Sequence, residues 1–131
     1  VKILVVEDDF VSRKLLFRLL EQYGEVDIAL NGREALDVVQ HAWDSNCPYQ
    51  LICLDIMMPE MDGREFLRTL RKEEELRGFH TDGSTKVIMT SALNDKKSVF
   101  SSFKEGCEGY LVKPVRKQEL ITILKKFELT K

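Results

Sequence analysis

Four short apolar runs, uninterrupted and spaced along the chain, limit this fold more than any other feature. They are Ile3-Leu4-Val5-Val6, Leu51-Ile52-Cys53-Leu54, Val87-Ile88-Met89 and Tyr110-Leu111-Val112. A strand with one face in water alternates apolar and polar residues. A run without alternation suits a strand covered on both faces, as in a parallel sheet. A weaker strand, Val26-Asp27-Ile28-Ala29, follows Gly24, and its charged residue suggests a sheet edge.

Helical stripes fill the gaps. Val11, Leu15, Leu16, Leu19, Leu20 and Tyr23 form the first, which Gly24 is expected to end as a left-handed cap. Ala35, Leu36, Val39 and Trp43 follow Asn31-Gly32, and Phe66, Leu67 and Leu70 follow Asp62-Gly63. Val99, Phe100 and Phe103 mark a fourth helix, with Asn94 or Asp95 as N-cap and the two phenyl rings expected in the core. Leu120, Ile121, Leu124 and Phe127 mark the last. The Glu73-Glu74-Glu75 run is expected to carry the third helix into solvent. His41 and His80 have no evident partner and read as surface residues.

The order βαβαβαβαβα predicts one α/β domain over residues 1–131. Its architecture is a doubly wound, flavodoxin-like sheet of five parallel strands in the order 2-1-3-4-5, with five helices and right-handed crossovers.

Composition removes several function classes. At 44% hydrophobic and 32% charged the chain is not of disordered type, and no apolar run approaches a membrane span. The net charge of −2 is spread without a basic face, so no direct nucleic-acid contact and no membrane insertion are expected. The first residues lack the features of a signal peptide. Cys47, Cys53 and Cys107 show no metal-ligand spacing and read as reduced thiols of a cytoplasmic protein.

In an open parallel sheet, sites form at the carboxyl ends of the strands, beside the reversal in strand order. Here that reversal lies between the first and third strands, which are followed by Glu7-Asp8-Asp9 and by Asp55. Four carboxylates at one edge repel one another, and such a group shifts its pKa values or recruits a cation. Hard oxygen ligands suit Mg²⁺. Helix capping explains Asp9 or Ser12 but not Asp55, since Ile56-Met57-Met58-Pro59 cannot begin a helix at once. The fourth strand ends in Thr90-Ser91 and the fifth in Lys113-Pro114, which add hydroxyls and an ammonium. A carboxylate nucleophile, metal-binding acids, a hydroxyl and a lysine are the parts phosphoryl transfer requires.

Together, ILVVEDD, LDIMMPEMDG, VIMTSA and GYLVKP resemble the signature of response-regulator receiver domains (chemotaxis-type, CheY-like) across essentially the whole chain. The resemblance implies that Asp55 is the phosphoacceptor and that Mg²⁺ is held by Asp8, Asp55 and the Met57 backbone carbonyl, with Glu7 reached through water. Ser91 and Lys113 stand at the family's hydroxyl and lysine positions; Thr90 falls one residue early. Tyr110 stands at the switch aromatic, Lys113-Pro114 is expected to be cis, and Pro59 and Gly63 shape the loop after Asp55. The donor is expected to be a histidine kinase or a histidine phosphotransfer protein. The reader is expected to be a downstream effector or an attached output domain, engaged through the fourth helix, fifth strand and fifth helix. A monomer and a phosphorylation-dependent dimer both fit. So do a stand-alone regulator and the receiver of a longer protein. Met57 and Leu93 are apolar where side chains of the family tune hydrolytic water, which implies slow self-dephosphorylation.

The resemblance implies no enzyme beyond a domain that catalyses its own phosphorylation and dephosphorylation. The rival is a Mg²⁺-dependent phosphohydrolase with an aspartyl-phosphate intermediate. Such enzymes carry a second acid two residues after the nucleophile, where this chain has Met57. A binding module that has lost phosphorylation conflicts with the full set of site residues. A flavodoxin-like nucleotide binder would need a Gly-rich loop where Glu7-Asp8-Asp9 stand.

Overall fold

The computed structural model describes residues 1–58, 61–78, 85–92 and 96–129. Five strands alternate with five helices: β1 (Lys2–Val6), α1 (Phe10–Leu20), β2 (Glu25–Ala29), α2 (Gly32–Asp44), β3 (Leu51–Asp55), α3 (Gly63–Leu76), β4 (Lys86–Ser91), α4 (Lys96–Glu105), β5 (Gly109–Val112) and α5 (Lys117–Lys126). All neighbouring strands pair in parallel, in the order β2-β1-β3-β4-β5. The predicted order and the β2 edge are therefore observed.

The unalternating runs do lie between two apolar layers. Leu4, Val6, Ile52, Leu54, Val87 and Met89 face one cluster with residues of α2 and α3. Ile3, Val5, Leu51, Cys53 and Ile88 face the other with residues of α1 and α5. Capping fixes where three helices begin. Asp9, Asn31 and Asp62 each accept a 2.9 Å hydrogen bond from the backbone N–H three residues on.

Several expectations change. Gly24 is not in the left-handed region; among the described residues the glycines with positive φ are Gly78 and Gly106. The first helix closes at Glu21 instead. Gly24 is required by close approach: a Cβ there would sit 2.0 Å from the Val1 carbonyl oxygen. Phe100 and Phe103 are not in the core but 71% and 45% exposed. Among the described side chains of that helix Ser102 is buried and Val99 half-buried, while the two rings project outward. On α1 the stripe is narrower than its apolar residues suggest: Leu16 and Leu20 are buried, while Val11 and Leu15 are exposed.

Glu74 does not extend into solvent either. It is buried, accepting from Arg71 at 2.6 Å and from the Thr85 amide at 2.8 Å. Arg71 also donates to the carbonyls of Thr85 and Gly106 and to Glu108. Glu108 in turn accepts from the Val87 amide at 2.7 Å. One guanidinium thus ties α3 to β4 and to the α4–β5 turn. Pro59, His80, Leu93 and the caps Asn94 and Asp95 fall outside the described residues. No described helix is long and apolar enough to cross a membrane.

Candidate functional site

Parallel register lines up the site. Val6 pairs with Leu54, so Glu7 continues β1 beside Asp55, the last residue of β3. Asp55 in turn pairs with Thr90 of β4. Cys53 and Ile88, two residues earlier on β3 and β4, belong to the α1/α5 side. Side chains two residues apart share a face, so Glu7, Asp55 and Thr90 form a row above that side.

Backbone contacts hold the row in place. The Glu7 amide donates to the Ala29 carbonyl at 3.1 Å, and the Ile56 amide to the Thr90 carbonyl at 3.0 Å. Gly63 returns the chain against Asp55: its amide donates to the Ile56 carbonyl at 2.8 Å. A Cβ at Gly63 would lie 2.3 Å from the Asp55 carbonyl oxygen. This supports the role expected of Gly63 in shaping the loop. The Lys113 amide donates to the Ser91 carbonyl at 2.7 Å, and the Lys113-Pro114 bond is cis, as expected.

The Lys113 ammonium lies 2.6 Å from Glu7 Oε1 and 3.2 Å from Asp55 Oδ1. The shorter contact is an ion pair to a fully buried carboxylate. Glu7 is fully buried and Asp55 nearly so, while Asp8 is exposed. Burial pushes the Asp55 carboxyl up to about 7; Glu7 adds to the rise and Lys113 opposes it. Burial works against the Lys113 ammonium, but the hydrogen bond and charge of Glu7 with the charge of Asp55 outweigh it and raise its pKa.

Glu7, Asp8 and Asp55 each bring a carboxylate oxygen within 4.8 Å of the other two. An octahedral Mg²⁺ at about 2.1 Å from its ligands spans about 4.2 Å between opposite oxygens. Small side-chain rotations would bring this all-oxygen set to that size, so the residues fit the ion. Met57 is 66% exposed beside them. Its amide makes a long, 3.4 Å contact with Asp55 Oδ1.

Ser91 is buried at the end of β4, one residue past Asp55's register partner. It lies on the other sheet face, with Met89. Tyr110 pairs with Met89 and packs against the α2/α3 cluster. Ser91 and Tyr110 thus share one face and Asp55 and Lys113 meet across the strand ends. Arg13 is a support the sequence did not single out; its guanidinium donates to the carbonyls of Glu7 and Asp8, both at 3.2 Å. Its position one turn into α1 was the available signal.

Cys53 and Cys107 are buried, and burial pushes each thiol up to about 12. Both pack as small hydrophobes, Cys53 in the α1/α5 cluster and Cys107 in the α2/α3 cluster.

Comparison with known proteins agrees with this geometry. Residues 3–125 match the family model "Response regulator receiver domain". The osmosensing histidine protein kinase SLN1 of Saccharomyces cerevisiae is 30% identical over 97% of this chain and 10% of its own length. The chain spans about half the length or less of the curated relatives it matches. The receiver domain of the histidine kinase CKI1 from Arabidopsis thaliana, complexed with Mg²⁺ and BeF₃⁻, superposes with a TM-score of 0.80 at 28% identity, covering 98% of this chain and 90% of that one. The receiver domain of the Saccharomyces cerevisiae response regulator Ssk1, solved with the phosphotransfer protein Ypd1, gives 0.78 at 25% identity, covering 97% and 86%. With the sheet order, the acidic strand ends and a family match over nearly its full length in agreement, the chain belongs to the response regulator receiver domain family.

Proposed function

We propose that this domain is a phosphorylation switch in which Asp55 accepts a phosphoryl group from a histidine kinase or a histidine phosphotransfer protein. The observation that carries the reading is the convergence of Glu7, Asp8, Asp55 and Lys113 at the sheet reversal, on a receiver-domain fold.

The geometry supports the following roles. Asp55 is the nucleophile: it stands at a strand end, and its oxygen attacks phosphorus in line with the departing donor. A carboxyl held near 7 by burial and Glu7 is a poor nucleophile when protonated. Mg²⁺ held by Asp8, Asp55 and the Met57 carbonyl, with Glu7 through water, would supply the positive charge that keeps Asp55 ionised and offsets the incoming phosphoryl charge. Lys113 already lies against Asp55 and would turn to a phosphoryl oxygen once the acyl phosphate forms. Ser91 would donate its hydroxyl to another oxygen. Tyr110 shares Ser91's face and would follow it inward, which changes the α4–β5–α5 surface. The exposed Phe100 and Phe103 of α4 lie on that surface and suit an apolar partner. A downstream effector or an attached output domain would read the change, in a cytoplasmic setting.

The test is incubation with Mg²⁺ and acetyl phosphate, read by intact mass. One added phosphoryl group, lost in Asp55→Asn and in EDTA, is the expected result. Failure to gain mass with acetyl phosphate, together with no spectral response to beryllofluoride, would overturn the reading.

A further inference from the structure

Thr90 is fully buried, and its hydroxyl has no hydrogen-bond partner among the described residues. A buried hydroxyl without a partner is costly, and natural strands seldom keep one where valine would fill the same volume. Thr90 is also the register partner of Asp55. Parallel neighbours lie about 4.8 Å apart with side chains on the same face. From Cβ, a threonine oxygen and a carboxylate oxygen close most of that gap, so a change of one rotamer joins them. Asp55 therefore has Glu7 on one flank and a threonine hydroxyl on the other. We infer that the Thr90 hydroxyl donates to the carboxyl oxygen of Asp55 that does not carry phosphorus, and thereby shortens the life of the acyl phosphate. This rests on the phospho-switch reading above.

In hydrolysis, a water oxygen attacks phosphorus and the bond from phosphorus to the Asp55 oxygen breaks. Inorganic phosphate leaves with the water's protons shared between phosphate and solvent, and Asp55 returns as carboxylate. Negative charge grows on the Asp55 carboxyl as that bond breaks. A hydroxyl donor on its other oxygen stabilises this charge more in the transition state than in the neutral ester-like ground state.

The experiment compares wild type, Thr90→Val and Thr90→Ser after phosphorylation by acetyl phosphate and removal of the donor. Loss of the added mass is followed in time, and metal-free melts are recorded for all three. Thr90→Val is expected to lengthen the phosphate lifetime about five- to tenfold, as removal of one weak to moderate transition-state donor would. Thr90→Ser is expected to restore it, and a packing defect would not follow that pattern. An unchanged lifetime in Thr90→Val would overturn the inference, most clearly alongside a higher melting temperature, which marks an idle hydroxyl. A wild type that takes no phosphoryl group would instead remove the proposed function, and this inference with it.

Discussion

Replacing Lys113 by methionine tests the electrostatics of the site directly. Its ammonium is the cation seen against both Glu7 and Asp55, at 2.6 Å and 3.2 Å. Methionine keeps the length of the side chain and removes the charge. Breaking a buried pair by removing one partner costs about 3–5 kcal/mol. The lysine side chain is 21% exposed, which places this case near the low end, at about 3 kcal/mol. With about 2.1 cal/mol/K of unfolding entropy per residue, that corresponds to a fall of about 11 °C in Tm.

The loss depends on pH, and its sign is fixed. Asp55 is raised from 3.8 to about 7 in the folded state. Between those values the native state binds more protons than the unfolded one, so stability declines as pH rises. Removing Lys113 raises the carboxyl further and carries the decline to higher pH. Urea or thermal melts should therefore separate the variant from wild type most at pH 8 and least at pH 5. Added MgCl₂ should recover part of the loss at pH 8, because a divalent cation can replace the missing charge. An equal loss at both pH values, or none at pH 8, would refute this account of how the acids are held.

Three further outcomes are expected. Mg²⁺ at ten times its dissociation constant should stabilise the domain by about 1.4 kcal/mol, or about 5 °C in a melt. Asp8→Asn should raise the metal-free Tm and abolish that increment; a lower metal-free Tm would count against repulsion within the acidic trio. Arg71→Met leaves the buried Glu74 and the half-buried Glu108 without their guanidinium and should cost about 3–5 kcal/mol in urea titration. Gly63→Ala, whose methyl would meet the Asp55 carbonyl at 2.3 Å, should destabilise by about 1–3 kcal/mol. It should also slow phosphorylation from acetyl phosphate, which a change acting on stability alone would not do.

The sequence carried the sheet and most of the site. Unalternating apolar runs alternating with helical stripes suit strands covered on both faces of a parallel sheet. Acids after the first and third of five strands must then meet at the sheet reversal. Asp55, Glu7 and Asp8 were legible for that reason, Lys113 from its place at the end of the fifth strand, and Asp62-Gly63 from its helix-start chemistry. Other features needed the third dimension. Phe100 and Phe103 read as core because periodicity reports an apolar stripe and not the direction it faces; in the structure Ser102 is buried and both rings lie at the surface. Glu74 read as solvated within a run of acids, yet Arg71, three residues earlier, and the distant Thr85 amide close around it. Thr90 shows the division most clearly. In sequence it is the residue before the matching serine, and only strand register sets its hydroxyl beside Asp55. Period and chemistry are written locally, so the sequence determined the elements and the residue types at each strand end. Which side chains face each other depends on contacts between residues far apart in the chain, and those the tertiary structure decided.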